Sequence, residues 1–540
     1  MKNIPIEKGQ IPLDFIKEHQ ISEQGLIGCW VNGVSVDLML PAEQQGVLKP
    51  IRISDMEGQR IYQRTLCFIL WRAVSEIFRD TDLLVNHSMS SGYYCEIVSP
   101  VLPTKDEIEI LAKRMEKIIA KDEVIERERI TKEQGLNLFR REGRYDTVRL
   151  LRDLPSTQLV IYRSGPVVDS YTGPIAPRTG ILKWWSLIPY HPGVVIHFPT
   201  LDQPDKLIRW EGQKKLFKVY HEHRRWIQIL EVLNTGQLNT AIAENQGRQI
   251  INVAEALHEK KISAIADEIY ADRQKRLILI SGPSSSGKTT FSRRLKIALL
   301  VNGLRPIALS LDNFFLDRED TPKDEQGNYD FESPRALDMK LFQATVDQLL
   351  DGKQVNLPKF DFNSGTKKES KRKFKLQPGH PIIIEGIHAL NDKLTEVFDD
   401  QIKFKIYASA LTQVNLDDHN RFATTDCRMI RRIVRDSKFR SYTASETINR
   451  WYSIRRGENR WIFPFQETAD AMFNSALIYE ISALKPIAEK LLSEIELDDP
   501  AYEEAQRLLG ILDYFLPVDT KYVPFNSVLR EFIGGSVFEY

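Results

Sequence analysis

The pattern of apolar and polar positions predicts an α/β unit in the C-terminal half of the chain. Phe291, Leu295 and Leu299 recur at helical spacing. Apolar runs predict buried strands at 277–280, 307–311 and 381–384. Because strand patterns alternate with helix patterns here, we expect a doubly wound parallel sheet with helices on both faces.

The N-terminal half mixes short strand and helix patterns. Thr104 and Glu107 form a capping box that opens an amphipathic helix, and Asn32-Gly33 is a hairpin-type turn between two β-like runs. The remaining signals are strands at 26–31, 35–39 and 92–97, a helix at 58–80, a strand- and turn-rich region at 157–200 and a charged helical region at 211–275. We therefore expect α+β domains ahead of the α/β unit, joined to it by a helical connector.

A glycine-bounded loop joins the strand at 277–280 to the helix after it. Residues 282–289 fit the phosphate-binding pattern G-x-x-x-x-G-K-[ST] at every fixed position. Such a loop turns backbone N–H groups toward polyphosphate oxygens; Lys288 would reach the β- and γ-phosphates, and the Thr289 hydroxyl would ligate Mg²⁺. The residues expected to bind ATP are Gly282, Pro283, Ser284, Ser285, Ser286, Gly287, Lys288, Thr289 and Thr290. The sequence therefore predicts that the chain binds a nucleoside triphosphate.

Two acidic residues follow predicted strands of the same sheet. Asp312 comes after the run at 307–311, at the carboxyl end of a strand, where ligands bind in such sheets. It is suited to accept the proton of an attacking hydroxyl, to ligate Mg²⁺ or to do both, and a helix N-cap is the structural alternative. Glu385 closes the run at 381–384 and is expected to orient Mg²⁺ or its water.

An arginine-rich stretch predicts a basic helix. If it is helical, Arg428, Arg431, Arg432 and Arg435 share one broad face. Guanidiniums on one face repel each other unless anions meet them, and a lid over a transferring phosphoryl group would supply those anions. A solvated basic face is the alternative.

A second basic cluster lies where a surface hairpin is expected, between residues 358 and 385. Its members are Lys367, Lys368, Lys371, Arg372, Lys373 and Lys375. A single aromatic residue, Phe374, is interleaved with them, fewer than stacking on successive bases would need, so a solvated hairpin is favoured over a nucleic-acid site.

Composition adds few constraints. The 540 residues include 74 basic and 74 acidic side chains, so net charge gives no argument for binding nucleic acid or an anionic membrane. The four cysteines are scattered without a C-x-x-C pair, which fits a reducing compartment. No apolar stretch approaches the roughly 18 residues of a membrane span, and the first residues lack the apolar core of a signal peptide. We expect a soluble, cytoplasmic protein.

Six motifs occur in order between residue 277 and about residue 480. They are G-P-S-S-S-G-K-T-T (282–290), S-L-D-N-F-F (310–315), Y-D-F-E-S-P (329–334), P-K-F-D-F (358–362), I-I-I-E-G-I (382–387) and R-M-I-R-R-I-V-R-D (428–436). Together they resemble the uridine kinase family, close kin of phosphoribulokinase. The resemblance implies a P-loop kinase domain that uses ATP and Mg²⁺.

The same resemblance implies individual roles. Asp312 would be the general base for a sugar hydroxyl, and Glu332 stands where the family usually places an aspartate that holds the ribose hydroxyls. Thr289 and Glu385 would hold or orient Mg²⁺. The residues expected to contact the acceptor are Asp312, Tyr329, Phe331, Glu332 and Phe360; those expected to neutralise phosphate charge are Lys288, Arg432, Arg435 and Arg440.

Three departures affect the part of the family pattern that reads a nucleobase and the lid. Phe360 and Gly365 replace a tyrosine and a histidine that lie near the base, and Tyr442 replaces a lid arginine. A site without polar base contacts cannot reject wrong substrates strongly. The reaction type therefore follows more directly from the resemblance than the substrate does.

The N-terminal third carries a second set of motifs. They are V-N-G-V-S-V-D-L (31–38), G-Q-R-I-Y-Q-R-T-L-C-F-I-L-W-R-A-V (58–74), S-G-Y-Y (91–94) and Y-R-S-G-P-V-V-D-S-Y-T-G-P-I-A-P-R-T-G (162–180). These resemble the front of threonyl-tRNA synthetase, a TGS module followed by an editing-type domain. The four metal-ligand positions of that domain fall on Arg64, Phe68, Tyr171 and Ile175. Because a zinc site needs three or four donors, we predict no metal and no aminoacyl-tRNA hydrolysis here.

The two resemblances give a domain plan. We expect a TGS-like module at 1–55, an editing-like domain at 56–205, a helical connector at 206–275, the kinase domain at 276–490 and a C-terminal segment at 491–540 that packs on the body.

Three functions stay open. The first is phosphorylation of the 5′-hydroxyl of a nucleoside such as uridine or cytidine, and the second is the same chemistry on another sugar or small alcohol. The third is a regulatory protein that binds tRNA and uses the P-loop as a nucleotide switch; neutral overall charge weighs against it. We also expect a homo-oligomer.

Overall fold

The computed structural model describes residues 4–78, 80–323, 327, 329–361, 364–412 and 414–539. Its first unit is an antiparallel sheet with strand order β1-β4-β2-β3, covered by helix α1 (Pro12–Glu18). The strands are β1 (Ile4–Ile6), β2 (Leu26–Val31), β3 (Val34–Val36) and β4 (Gly46–Arg52). Asn32 and Gly33 both have positive φ between β2 and β3, as the hairpin-turn prediction requires.

The second unit combines an antiparallel sheet of order β10-β11-β6-β5 with a three-stranded sheet β7-β8-β9. Its strands are β5 (Asp82–Met89), β6 (Gly92–Val98), β7 (Glu126–Thr131), β8 (Gln158–Ser164), β9 (Val167–Asp169), β10 (Ser186–Tyr190) and β11 (Gly193–His197). Its helices are α2 (Met56–Ile77), α3 (Lys105–Ala120), α4 (Lys132–Arg141) and α5 (Tyr145–Arg152). The predicted capping box is present at the start of α3, where Thr104 and Glu107 each accept from the other's backbone N–H.

Three helices connect this unit to the α/β unit: α6 (Lys214–Ile229), α7 (Thr235–Ala243) and α8 (Gly247–Ala271). They agree with the helical pattern predicted at 211–275. Helix α8 packs along the first helix of the α/β unit, and its apolar residues belong to the same core cluster.

The α/β unit contains a parallel five-stranded sheet of order β13-β16-β12-β17-β18. Its strands are β12 (Leu277–Ser281), β13 (Ile307–Ser310), β16 (Ile382–Glu385), β17 (Lys403–Ser409) and β18 (Ala471–Asn474). Side chains alternate between two cores: Ile278 and Ile280 face one apolar cluster, and Leu277 and Leu279 face the other. The predicted doubly wound parallel sheet is therefore confirmed.

Helices surround this sheet, and a hairpin extends from it. The hairpin strands are β14 (Gln354–Asp361) and β15 (Thr366–Lys375). The helices are α9 (Lys288–Val301), α10 (Met339–Leu350), α11 (Asp392–Thr395), α12 (Thr424–Phe439), α13 (Ala444–Trp461), α14 (Glu480–Ser493), α15 (Tyr502–Leu512) and α16 (Arg530–Ile533). Val528, Leu529 and Phe532 of the C-terminal segment are fully buried in the core that also contains α8 and α9.

Predicted and observed bounds differ slightly at several elements. Strand β3 ends at Val36 instead of continuing to residue 39, and β13 ends at Ser310 because residues 311–314 turn into a 3₁₀ helix. Among the helices that the structure describes, none is long and apolar enough to cross a membrane.

Candidate functional site

The glycine-bounded loop between β12 and α9 has the shape of an anion cradle. Gly287 adopts a φ of +76° directly before α9, a conformation that favours glycine. A Cβ atom at Gly282 would lie 1.8 Å from the carbonyl oxygen of Ala408, so only glycine fits there. The hydroxyls of Ser285 and Ser286 are buried and have no hydrogen-bond partner in the part of the chain that the structure describes. The N–H groups at the start of α9 and these hydroxyls suit phosphate oxygens.

Lys288 is the cation of this loop. Its Nζ donates to the carbonyl oxygen of Pro283 at 3.0 Å, which folds the side chain back over the loop. Burial lowers the pKa of Lys288, and the carboxylates of Glu385 and Asp312 oppose that effect. The sheet therefore brings together the lysine and both acidic residues that the sequence singled out.

The two carboxylates lie at the carboxyl ends of neighbouring strands. Glu385 is paired in register with Ile280 of β12 and Ser310 of β13, and its Oε1 accepts from the Ser310 hydroxyl at 2.9 Å. Asp312 lies two residues after Ser310, in the 3₁₀ turn that follows β13. Burial and the Asp312 carboxylate raise the pKa of Glu385 to about 7. Two carboxylates so placed attract a cation.

The donor set near the loop fits Mg²⁺ carried by a nucleotide. Thr289 is half-buried in the first turn of α9, and Glu385 offers a carboxylate, so both donors are oxygens. Among the described residues, no group of three or more His, Cys, Asp or Glu side chains is arranged to hold a metal by itself. A cation here would thus depend on phosphate oxygens, which is how Mg²⁺ usually binds.

Three arginines of the predicted lid converge on one buried carboxylate. Asp436 is 1% exposed, and Arg432, Arg435 and Arg440 all approach it, at 3.1, 2.7 and 3.7 Å. Burial and the neighbouring Arg435 lower the pKa of Arg432 to about 10, and Arg435 also lowers that of Arg440. Three cations around one anion leave an excess of positive charge, which an incoming polyphosphate would neutralise.

The other two arginines of α12 have anions inside the protein. Arg428 donates to Glu458, and Arg431 donates to Glu480 and to the carbonyl oxygen of Ser475. Both arginines are at most 1% exposed. The expectation that ligand phosphates neutralise the arginines on this face is therefore wrong for Arg428 and Arg431, because buried glutamates from α13 and α14 pair with them.

Glu458 is a residue that sequence reasoning missed. It is fully buried and accepts from the backbone N–H of Ser284 in the loop at 3.0 Å, as well as from Arg428 and Arg455. Burial tends to raise the pKa of this carboxyl, but the two arginines outweigh that effect and lower it. Glu458 thus ties α12 and α13 to the phosphate loop, and a lone glutamate on a charged helix gives no local signal for that role.

An aromatic cluster lies beside Asp312. Phe315 contacts both Phe331 and Phe360, with ring centroids 6.2 and 5.8 Å apart, and Tyr329 lies 6.1 Å from Phe331. Phe360 is 6% exposed, whereas Tyr329 is 39% exposed. Phe362 of the same sequence motif lies outside the described residues. The predicted acceptor residues are therefore grouped around one mostly apolar wall.

Glu332 supplies a polar group on the acceptor side. Its Oε2 is buried and has no hydrogen-bond partner among the described residues, and burial together with Glu458 raises the pKa of Glu332 to about 7. His388, which the sequence did not single out, lies beside the Glu332 backbone and is 1% exposed; burial lowers its pKa to about 4. His388 is therefore neutral near physiological pH, whereas Glu332 titrates close to it.

The lysine-rich hairpin is partly neutralised. Lys367 pairs with Asp338 at 2.7 Å and Lys368 with Asp361 at 2.5 Å. The side chains of Lys371 and Arg372 lie outside the described residues. The predicted surface hairpin is confirmed as β14 and β15.

The four positions that correspond to metal ligands in the editing-type domain carry apolar and ion-paired side chains. Phe68 and Tyr171 contact each other edge to face at 5.8 Å, and Ile175 belongs to the same apolar cluster. Arg64 donates to the carbonyl oxygen of Pro174 and to Glu57. The sequence positions are therefore brought together, but as packing residues.

A segment of the α/β unit enters this region, and no motif in the chain predicts this contact. His419 contacts Asp169 at 2.5 Å and lies 5.0 Å from the Trp71 ring. The Asn420 amide donates to the carbonyl oxygen of Ser170 and accepts from the backbone N–H of Thr172. The loop between β17 and α12 thus links the two units directly.

Known proteins resemble the two parts of the chain separately. Residues 277–482 match the sequence profile of the Phosphoribulokinase / Uridine kinase family. A uridine kinase from Deinococcus deserti is 28% identical over 197 residues, covering 36% of this chain and 86% of that protein. A solved structure of a possible uridine kinase from Bacillus stearothermophilus covers 40% of this chain and 98% of that chain, with 22% identity and a TM-score of 0.28.

The other part resembles a ligase. A threonine–tRNA ligase from Orientia tsutsugamushi is 29% identical over 151 residues, which cover 28% of this chain and 23% of that protein. The chain spans about a quarter of the length of such ligases. It therefore joins a C-terminal P-loop kinase domain of the phosphoribulokinase and uridine kinase family to an N-terminal region that matches threonine–tRNA ligases.

Proposed function

We propose that the protein transfers the γ-phosphate of ATP to the 5′-hydroxyl of a nucleoside, most plainly uridine or cytidine. The observation that carries the proposal is the meeting of Lys288, Asp312 and Glu385 at one edge of the parallel sheet, beside a phosphate-binding loop. Phosphoryl transfer needs little more than positioned charge of both signs and a base near the attacking hydroxyl. The match of residues 277–482 to a kinase family supports the same reaction type.

Residues of the loop and of α12 would hold the triphosphate. The N–H groups that begin α9 and the hydroxyls of Ser285 and Ser286 would bind phosphate oxygens. Lys288 would leave the Pro283 carbonyl for the phosphates, and Arg432, Arg435 and Arg440 would offset the charge of the transferring group. Mg²⁺, held by Thr289 and Glu385 together with phosphate oxygens, would draw electron density from the γ-phosphate.

Asp312 would act as the general base. The acceptor O–H gives its proton to the Asp312 carboxylate while the hydroxyl oxygen forms a bond to the γ-phosphorus. The bond between that phosphorus and the oxygen bridging to the β-phosphate breaks, and ADP leaves with the electron pair. Among the described residues Asp312 forms no ion pair, so its carboxylate can turn to the acceptor.

Acceptor residues favour a nucleoside but leave its base loosely specified. Glu332 offers a buried carboxyl for sugar hydroxyls, and Tyr329 and Phe331 offer aromatic faces. Phe360 is buried in the aromatic cluster, and Gly365 has a φ of +70° with no side chain to reach a base. These two positions support a second candidate, the same transfer to another sugar or small alcohol.

The experiment is an acceptor screen with purified full-length protein, ATP and Mg²⁺. A panel of nucleosides, sugars and small alcohols is assayed for transfer of labelled γ-phosphate, with Asp312→Asn beside wild type. Asp320→Asn is the matched control, because it makes the same change at an exposed position eight residues away. We expect transfer to a pyrimidine nucleoside, a loss of at least about 100-fold in Asp312→Asn, and no loss in Asp320→Asn.

Each other result has a definite meaning. Transfer to a sugar or small alcohol but to no nucleoside would support the second candidate. ATP turnover that requires tRNA and no small acceptor would favour a regulatory role of the N-terminal region. Full activity of Asp312→Asn would refute the role of Asp312 as base.

A further inference from the structure

The C-terminal segment lies directly against the phosphate loop. A Cβ atom placed on Gly287 would lie only 2.4 Å from Cγ1 of Val528. Val528 and Leu529 are fully buried, so this contact is part of the core and not a surface touch. The segment is about 240 residues away from the loop in sequence. Neither the sequence of the phosphate loop nor that of the C-terminal segment predicts this contact.

From this segment, Glu531 reaches the start of α9. Its Oε2 accepts from the backbone N–H of Thr290 at 3.2 Å and from the Thr290 hydroxyl at 2.7 Å. Thr290 is the third residue of α9, so its N–H is one of the donors that no helical carbonyl can satisfy. The Glu531 carboxylate therefore accepts hydrogen bonds from two Thr290 donors that belong to the expected phosphate-binding surface.

The charge of the Glu531 carboxylate opposes the binding of a polyphosphate at this position. The charge of Glu531 acts on Lys288, Arg440 and Glu385, all of which belong to the candidate site. A phosphate oxygen that approached Thr290 would meet an anion of like sign in a partly buried setting, where screening is weak. The two anions compete for the same donors.

The segment itself cannot leave easily. Phe532 is fully buried with the Arg431 guanidinium 5.0 Å from its ring centre, and the Ile533 carbonyl accepts from Lys438 Nζ at 2.6 Å. Release would expose this apolar core and strip α12 of partners. Rotation of the half-buried Glu531 side chain would free Thr290 at far lower cost.

We propose that Glu531 is an autoinhibitory residue of the nucleotide site: its carboxylate occupies Thr290 in the ligand-free protein and must swing away before a nucleoside triphosphate can bind. The inference rests on the proposed function only in that the loop binds a triphosphate. It assigns the C-terminal segment a part in donor binding, independent of which acceptor is used.

The test is isothermal titration of MgATP into the full-length wild type, Glu531→Gln and Glu539→Gln. Glu539→Gln is the matched control, because it removes the same charge at an exposed position in the same segment. Removing a charged competitor that holds two hydrogen bonds should tighten ATP binding by about tenfold. Glu539→Gln should bind ATP like the wild type. Glu531→Ala, which removes the acceptor atoms altogether, should also bind ATP more tightly.

The outcomes separate this inference from the proposed function. Equal or weaker ATP binding by both Glu531 variants, with normal binding by wild type, would overturn autoinhibition alone and leave the kinase proposal standing. ATP binding by neither wild type nor any variant would overturn both. ATP binding by the Glu531 variants but not by wild type would support autoinhibition in its strongest form. Acceptor choice affects none of these results, since no acceptor is present.

Discussion

Replacing Gly287 with alanine should loosen both the phosphate loop and the C-terminal segment behind it. Gly287 has a φ of +76°, and a side chain in that left-handed region costs about 1–2 kcal/mol. The new methyl group would also lie 2.4 Å from Val528 Cγ1, and overpacking of this kind costs about 1–3 kcal/mol. We expect Gly287→Ala to lower the opening free energy of this region by the sum, about 2–5 kcal/mol.

A second substitution separates the two causes. Val528→Ala removes the methyl group that the new side chain meets, at the cost of a small cavity, about 1–3 kcal/mol on its own. In the double variant the steric part should vanish while the backbone part stays. The two substitutions should therefore be less harmful together than their sum by about 1–3 kcal/mol.

Hydrogen exchange of the α9 amides, followed by mass spectrometry, measures this local opening directly, which suits a chain with several units better than global unfolding does. Val523→Ala is the control: Val523 is 2% exposed in the same core but lies five residues from Val528. Gly287→Ala and Val523→Ala should be additive. Strict additivity of Gly287→Ala with Val528→Ala would refute the packing of the C-terminal segment on the loop.

Three further predictions concern charged groups. Burial and Glu458 raise the pKa of Glu332 to about 7, so the folded protein holds this proton more tightly than the unfolded chain, and stability falls as pH rises from about 4.5 to 7. Glu332→Gln should remove that fall, worth up to about 3 kcal/mol; melting temperatures that keep a constant gap from wild type across this range would contradict it. Arg431→Met should lower the free energy of unfolding by about 3–5 kcal/mol, and the melting temperature with it, because Glu480 is left buried without its arginine partner. Adding Glu480→Gln should recover part of the loss, and a double variant no better than the single would refute the pairing. Arg440→Gln should weaken ATP binding without destabilising the ligand-free protein, since Arg435 already repels Arg440 and lowers its pKa. Titration calorimetry should show a several-fold loss that shrinks with added salt, and a loss independent of ionic strength would contradict this.

Local sequence determined the parts of this protein that depend on neighbours within a few residues. The strand, loop and helix around Gly282–Lys288 follow from apolar spacing and from glycines where the backbone demands them. The Thr104 capping box and the Asn32-Gly33 turn are likewise set by contacts three or fewer residues apart. The sequence also predicted that Asp312 and Glu385 lie at the same edge of the sheet, because the carboxyl ends of parallel strands meet there.

Only the tertiary structure decided which charges face a ligand and which are used inside the protein. Arg432 and Arg435 pair with Asp436 on their own helix. Arg428 and Arg431 share the same face of α12, yet they pair with the buried Glu458 and Glu480, 30 and 49 residues away. Partners that are tens of residues away leave no local pattern, since a buried ion pair depends on packing that brings distant helices together.

The same holds for the contacts that link distant parts of the chain. His419 and Asn420 meet the N-terminal region, and Glu531 meets Thr290, across about 250 and 240 residues. Short-range periodicity fixes helices, strands and turns because it reflects backbone geometry. The choice of long-range partners is made by burial and desolvation in the assembled fold, and these are properties of the whole chain.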